Sequence, residues 1–179
     1  MKALVMDTAG EALVVVLIDG NEVHVATDFA KNGHSMTLLK AVDELTKKAG
    51  IALANIDYFA ANVGPGSFTG IRIGVCTANA FSYVYNKPVL PLNTFMVHRT
   101  GTETLVLDAK HGNGYFEMGD GTQGFAEKAV LGQFVEIAGI PDGSAYKSAV
   151  EKMIKNGLAT DQLVPLYLKA SEAECKELK

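Results

Sequence analysis

Tryptophan is absent from this 179-residue chain, and cysteine occurs only twice, at Cys76 and Cys175. Two thiols cannot build a zinc cluster or a disulfide framework by themselves, which fits a reduced, cytoplasmic protein. Histidine is nearly as scarce. His24, His34, His98 and His111 are spaced too widely for a His-x-x-x-His or His-Glu-x-x-His pair on one helix face, so a hydrolytic metalloenzyme is not expected. Basic charge is in deficit: 16 Lys and Arg stand against 20 Asp and Glu, a formal net charge of −4. That balance argues against an autonomous grip on nucleic acid through phosphate neutralisation. Long apolar runs are missing too, since stretches such as Ala12–Ile18 fall far short of the roughly 20 residues a membrane helix needs. No membrane span and no signal peptide are expected.

What the chain has is enough apolar material for a core. Hydrophobic residues make up 48% and charged residues 20%, a balance that suits one domain or two small lobes. Lys2–Met6, Ala12–Ile18 and Glu22–Thr27 are strand-like and separated by turn residues, which predicts a three-strand meander. Leu38, Val42, Leu45 and Ala49 recur with helical spacing before the stop at Gly50, predicting an amphipathic helix from His34 to Ala49. Ile56–Val63 reads as a buried strand. A turn at Gly64–Gly70 feeds a second helix to about Tyr85, and Val89–Leu92 reads as the next strand. This order predicts an α/β fold with a mixed sheet. Leu4-Val5-Met6-Asp7 with its following strand is echoed by Leu105-Val106-Leu107-Asp108 and Tyr115–Met118. The echo predicts two related lobes, residues 1–100 and a smaller one over 101–179. In the second, Ala126–Ala138 and Ser144–Asn156 read as helices, and Leu163–Leu168 as a strand or docked arm before the charged 171–179 tail.

Two constellations carry chemistry. The first is Gly64-Pro65-Gly66-Ser67-Phe68-Thr69-Gly70 with Arg72. Its glycines permit close backbone approach, Ser67 suits a helix N-cap, and a helix N-terminus favours an anion. It matches neither Gly-x-Gly-x-x-Gly nor a Walker loop, so a plain turn and cap explains it equally well. Asp7 and Asp108, at the ends of the echoed strands, suit a cleft holding a hydrated cation beside a phosphate. With Gly64, Gly66, Ser67, Thr69 and Arg72 they form a candidate nucleotide or anion site.

The second constellation is the helix after this loop. It is apolar nearly all round, so either both lobes or a partner must cover it. Ile73, Cys76, Thr77, Ala80 and Val84 line the candidate partner side, and Met36 and Leu39 of the first helix extend that surface. Cys76, inside this apolar helix, reads as a buried core thiol rather than a nucleophile.

Leu4-Val5-Met6-Asp7-Thr8-Ala9, Gly33-His34-Ser35, the Gly64–Gly74 run Gly-Pro-Gly-Ser-Phe-Thr-Gly-Ile-Arg-Ile-Gly, Leu107-Asp108-Ala109-Lys110 and Pro165-x-Tyr167-Leu168-Lys169 together resemble the bacterial TsaB family, also called YeaZ. The resemblance covers residues 1–118 well and the end faintly, with a shortened stretch between Gly119 and Gln162. It implies an actin-like, ribonuclease H-like two-lobe fold of the ASKHA class. It also implies a non-catalytic role in making threonylcarbamoyladenosine next to the anticodon of tRNAs that read codons starting with adenine. The implied partners are a catalytic TsaD-like subunit and a TsaE-like ATPase, with a homodimer forming when the chain is alone and tRNA contacted indirectly. No cofactor of the chain's own is implied, ATP and magnesium belonging to the partner-bound complex. The rival from another class is a small nucleotide-dependent phosphotransferase or ATPase of the actin-like type; a peptidase is a weaker third.

Overall fold

The structure, a computed structural model, describes residues 1–29 and 33–168. Lys169, Cys175 and the 171–179 tail lie outside the described residues.

The meander forms as expected, with β1 (Lys2–Asp7), β2 (Leu13–Asp19) and β3 (Glu22–Asp28) pairing antiparallel. β4 (Tyr58–Asn62) joins β1 in parallel and β5 (Val89–Leu92) joins β4 in parallel, giving a five-stranded mixed sheet of order β3-β2-β1-β4-β5. The inner strands β1 and β2 are apolar on both faces because both of their faces are covered. The period-2 alternation splits β1 and β2 cleanly. Leu4, Met6, Leu13, Val15 and Leu17 pack under helices α1 (His34–Ala49) and α2 (Phe68–Tyr85), while Ala3, Val5, Val14, Val16 and Ile18 face the other side. There they meet α3 (Thr94–His98) and α4 (Gly143–Lys155) through Val97, Tyr146, Ala149, Val150 and Met153.

The helix boundaries follow local chemistry. α1 stops where Gly50 turns left-handed at φ 67°, and α2 where Asn86 does so at φ 51°. Ser67 caps α2, its side chain accepting from the Gly70 N–H at 3.2 Å. α3 forms because Asn93 Oδ1 accepts from the N–H groups of Phe95 and Met96.

The echo is real in topology. β6 (Leu105–Asp108), β7 (Asn113–Glu117), β8 (Gln123–Glu127) and β9 (Val135–Glu136) form a second sheet of order β8-β7-β6-β9, antiparallel, antiparallel and parallel in turn. That repeats the β3-β2-β1-β4 half of the first sheet. The helix expected over Ala126–Ala138 is not there. This stretch holds the end of β8, one short 3-10 turn over Lys128–Val130, and β9. Gly132, at φ 67°, breaks any helix, and Val135 is drawn into pairing with Leu105. The helix expected over Ser144–Asn156 is α4, capped by Asp142. It returns to the first sheet instead of covering the second.

Leu163–Leu168 is a docked arm. Asn79 on α2 brackets Leu163, donating to its carbonyl at 3.0 Å and accepting from its N–H at 2.8 Å, while the Leu166 N–H bonds the Val63 carbonyl at 2.7 Å. Arg99 fixes the link between the sheets: it pairs with Glu117 at 2.6 Å and donates to the carbonyls of Gly101 and Glu103.

Candidate functional site

Asp7 ends β1 and Asp108 ends β6, and both line one cleft of about 930 Å³. Ser67, Thr94, His98 and Tyr146 also face it. The cleft opens at the carboxyl ends of the strands, where α/β sheets commonly bind ligands. Two chemistry-bearing positions of the echo therefore line the same cleft.

Their electrostatics differ. Asp7 is buried, and both carboxylate oxygens are engaged: Oδ1 accepts from the Ala9 N–H at 3.0 Å, and Oδ2 accepts from Asn62 Nδ2 at 3.0 Å and from the Tyr146 hydroxyl at 2.8 Å. Asn62 in turn bonds Thr94 and accepts from the Gly64 N–H at 2.9 Å, and the Thr94 hydroxyl donates to the Pro65 carbonyl at 2.6 Å. Burial, then the neighbouring Asp7 charge, pushes the Tyr146 phenol far above its ordinary range. Burial likewise holds His98 below the usual imidazole value against the pull of Asp7, so it is neutral at pH 7. Asp108 is exposed and paired with Lys128 at 2.6 Å, a hydrogen bond that holds its carboxyl below the usual range. Lys128 also reaches Glu136 at 3.1 Å. Both aspartates are thus satisfied by the chain itself. Among the described residues no group of three or more His, Cys, Asp or Glu side chains is placed to hold a metal ion.

The glycine run serves packing. A Cβ on Gly66 would lie 2.4 Å from the Ala9 carbonyl oxygen, one on Gly70 1.9 Å from that of Thr8, and one on Gly74 2.6 Å from the Thr8 hydroxyl. These glycines let α2 lie directly on the turn after β1, where the Ser67 N–H bonds the Ala9 carbonyl at 2.7 Å and the Thr8 hydroxyl bonds the Gly70 carbonyl at 2.6 Å. Gly64, whose peptide to Pro65 is cis, is similarly tight against the Leu166 carbonyl. The close approach is therefore to the chain's own backbone. Thr69 and Arg72 are exposed and do not line the cleft. Arg72 turns instead to the arm, where its Nε donates to the Tyr167 hydroxyl at 2.9 Å and its guanidinium lies 3.9 Å from the Phe68 ring centroid.

The second constellation is a surface. α2 buries Ile71, Val75, Ala78 and Ser82 on the sheet and leaves an apolar face uncovered. Tyr83 is 90% exposed and Val84 68%; on α1, Met36 is 74% and Leu39 59% exposed. Cys76, expected in the core, is exposed together with Ala80, because helical spacing puts both opposite the Ile71–Val75–Ala78 stripe. Ile73 and Thr77 are half-buried at the edge. A groove of about 490 Å³ between α1 and α2, floored by Val42, Phe81 and Tyr85, continues this face past Leu39. Contiguous exposed apolar surface of this kind is uncommon on soluble monomers.

Asn62, Thr94, Tyr146 and Lys128 escaped the sequence reading. Asn62 alone left a signal, as a polar residue inside an apolar strand next to the glycine run; Thr94 and Tyr146 reach the cleft, and Lys128 reaches Asp108, only through tertiary packing.

Residues 22–176 match the family model of TsaD, tRNA N6-adenosine threonylcarbamoyltransferase. The chain is 30% identical over 122 residues to the tRNA threonylcarbamoyladenosine biosynthesis protein TsaB of Haemophilus influenzae, covering 63% of this chain and 51% of that protein. It is 32% identical over 101 residues to TsaB of Escherichia coli, covering 56% and 44%. The matched part thus spans about half the length of these relatives. YeaZ from Pseudomonas aeruginosa superposes with a TM-score of 0.79 at 20% identity, over 93% of this chain and 99% of that one, which establishes a shared fold.

Proposed function

This chain belongs to the TsaD family, tRNA N6-adenosine threonylcarbamoyltransferase, in its TsaB/YeaZ branch, and from that premise we propose that it is a non-catalytic docking subunit in threonylcarbamoyladenosine formation on tRNA. The observation that carries this reading is the uncovered apolar face of α1 and α2, with Met36, Leu39, Cys76, Ala80 and Val84 in the open. Burying it against a helical face of a catalytic TsaD-like subunit favours whichever conformation of that subunit offers the complementary surface, a shift that needs affinity for one state over another. A second copy takes the same place when the catalytic subunit is missing, a TsaE-like ATPase joins the pair, and tRNA is held by the partner, in keeping with the acidic balance here. ATP and magnesium act in that assembly. The site of work is cytoplasmic; among the described residues no helix is long and apolar enough to cross a membrane.

The alternative, a small phosphotransferase or ATPase, has one observation in its favour: Asp7 and Asp108 line the same cleft. Against it stands the hydrogen bonding of Asp7, which leaves the carboxylate no oxygen without a donor. Isothermal titration with Mg-ATP separates the two, because tight binding lost in Asp7→Ala belongs to the enzyme.

Light scattering after size exclusion tests the docking role, on the chain alone and mixed with the TsaD-type subunit of the same organism. A homodimer that converts to a heterodimer, with both lost in Ala80→Glu, is expected. A monomer that ignores that subunit overturns the reading, and complexes untouched by Ala80→Glu overturn the placement of the face.

A further inference from the structure

α2 carries one charged side chain in its 18 residues, and that residue is Arg72. It stands one turn before Cys76 and two before Ala80, so it borders the uncovered apolar stripe. Its position is not left to chance. The Phe68 and Tyr167 rings lie 5.1 Å apart, and the guanidinium stacks on the first while its Nε donates to the hydroxyl of the second. Tyr167 is itself anchored by the arm, through the Leu166 N–H and the Asn79 bracket around Leu163. The two terminal nitrogens of Arg72 have no hydrogen-bond partner among the described residues. An oriented guanidinium with a free fork, at the rim of an apolar face and flanked by two half-exposed rings, has the composition of a binding hot spot and takes a carboxylate bidentately.

The supply of carboxylates decides which partner fits. α2 has no acid at all, and the two on α1, Asp43 and Glu44, are engaged by Lys47 at 2.7 Å and Lys40 at 3.7 Å. A second copy docking the same helices therefore brings apolar surface and only two acids, each already facing a lysine of its own helix.

We propose that Arg72 is the specificity residue of this face: it accepts an Asp or Glu side chain from a heterologous partner and thereby favours that partner over a second copy of the chain. Positioning by Phe68 and Tyr167 is part of the device, since a preordered fork loses little freedom on binding. Discrimination arises because burying an arginine unpaired in the homodimer is penalised, whereas the same arginine paired across the heterodimer is not.

The inference rests on the docking reading above, and the experiment keeps the two apart. Association with the TsaD-type subunit of the same organism, and self-association, are measured by titration calorimetry and sedimentation for the wild type, Arg72→Ala, Arg72→Lys and Ala80→Glu at two salt concentrations. Heteroassociation of Arg72→Ala should weaken at least about tenfold, with much of its salt dependence lost. Self-association should be unchanged or tighter, and Arg72→Lys should restore only part of the affinity. Equal weakening of both associations, or no change in either, overturns the assignment while Ala80→Glu still abolishes both. Complexes indifferent to Ala80→Glu overturn the docking face and this assignment with it. Thermal melts of each variant confirm that the fold is intact before binding is read.

Discussion

The Tyr146 hydroxyl on α4 donates to Asp7 Oδ2 on β1 at 2.8 Å, joining residues 139 positions apart through a bond buried from water. It holds the last helix onto the first strand and gives a buried carboxylate one of its three donors.

Removing that donor should cost about 1–3 kcal/mol, because the carboxylate stays buried with an acceptor site unfilled. Tyr146→Phe is therefore expected to lower the urea midpoint markedly, while Tyr83→Phe on the open face leaves it unchanged. The same pair reports on alkaline pH. An unfolded phenol ionises near pH 10, and the folded one higher, so above about pH 10 the unfolded chain releases a proton that the folded chain keeps. Wild-type stability should fall as pH rises beyond that point, with a shallower fall in Tyr146→Phe.

His98 has the opposite sense. Burial keeps it neutral in the folded protein below the pH, about 6.5, at which an unfolded imidazole takes its proton. As pH falls through about 6.5 the unfolded state binds more protons than the folded one, so stability falls with acid. Chemical denaturation at pH 7.5 and 5.5 should show a smaller loss in His98→Gln than in the wild type; equal losses would mean that His98 is as easily protonated folded as unfolded.

Two alanine substitutions contrast close approach with open space. A Cβ on Gly70 meets the Thr8 carbonyl oxygen at 1.9 Å, whereas one on Gly10 meets nothing within 4 Å. Gly70→Ala must push α2 off the turn after β1 and should lose about 3 kcal/mol or more. Gly10→Ala should stay within about 0.5 kcal/mol of the wild type. Comparable melting temperatures for the two would show that the helix can shift without loss.

Much of the architecture was legible because period and punctuation agreed. β1 and β2 are unbroken apolar runs bounded by turn residues, α1 carries a clear stripe closed by Gly50, and Ser67 announces α2. The second sheet was legible only as an echo of Leu4–Asp7 in Leu105–Asp108. Its later part was misread because Ala126–Ala138 is apolar enough for a helix, and only pairing with β6 makes Val135 a strand residue. α3 was missed because five residues carry too little periodicity to register, leaving the Asn93 cap as its one local sign. The site divides in the same way. Asp7 and Asp108 stood out at strand ends, yet what binds them, Tyr146 and Lys128, comes from positions with no local mark. Cys76 was assigned to the core because an apolar helix has no polar face to reveal its outside. Exposure of that residue, Ala80 and Val84 is decided by which stripe the sheet takes.

The path of the chain has a consequence for size. It leaves the first core after α3, builds β6 to β9, and comes back as α4, which packs beside α3 on the same sheet face. Residues 99–142 are thus an excursion whose two ends are pinned close together by a core that lies outside it. The entropy of closing such a loop rises only slowly with its length, so material can be added to or removed from the excursion with little effect on the packing of α1, α2 and the five-stranded sheet. Growth and pruning of the second sheet are then nearly uncoupled from the apolar face that α1 and α2 present.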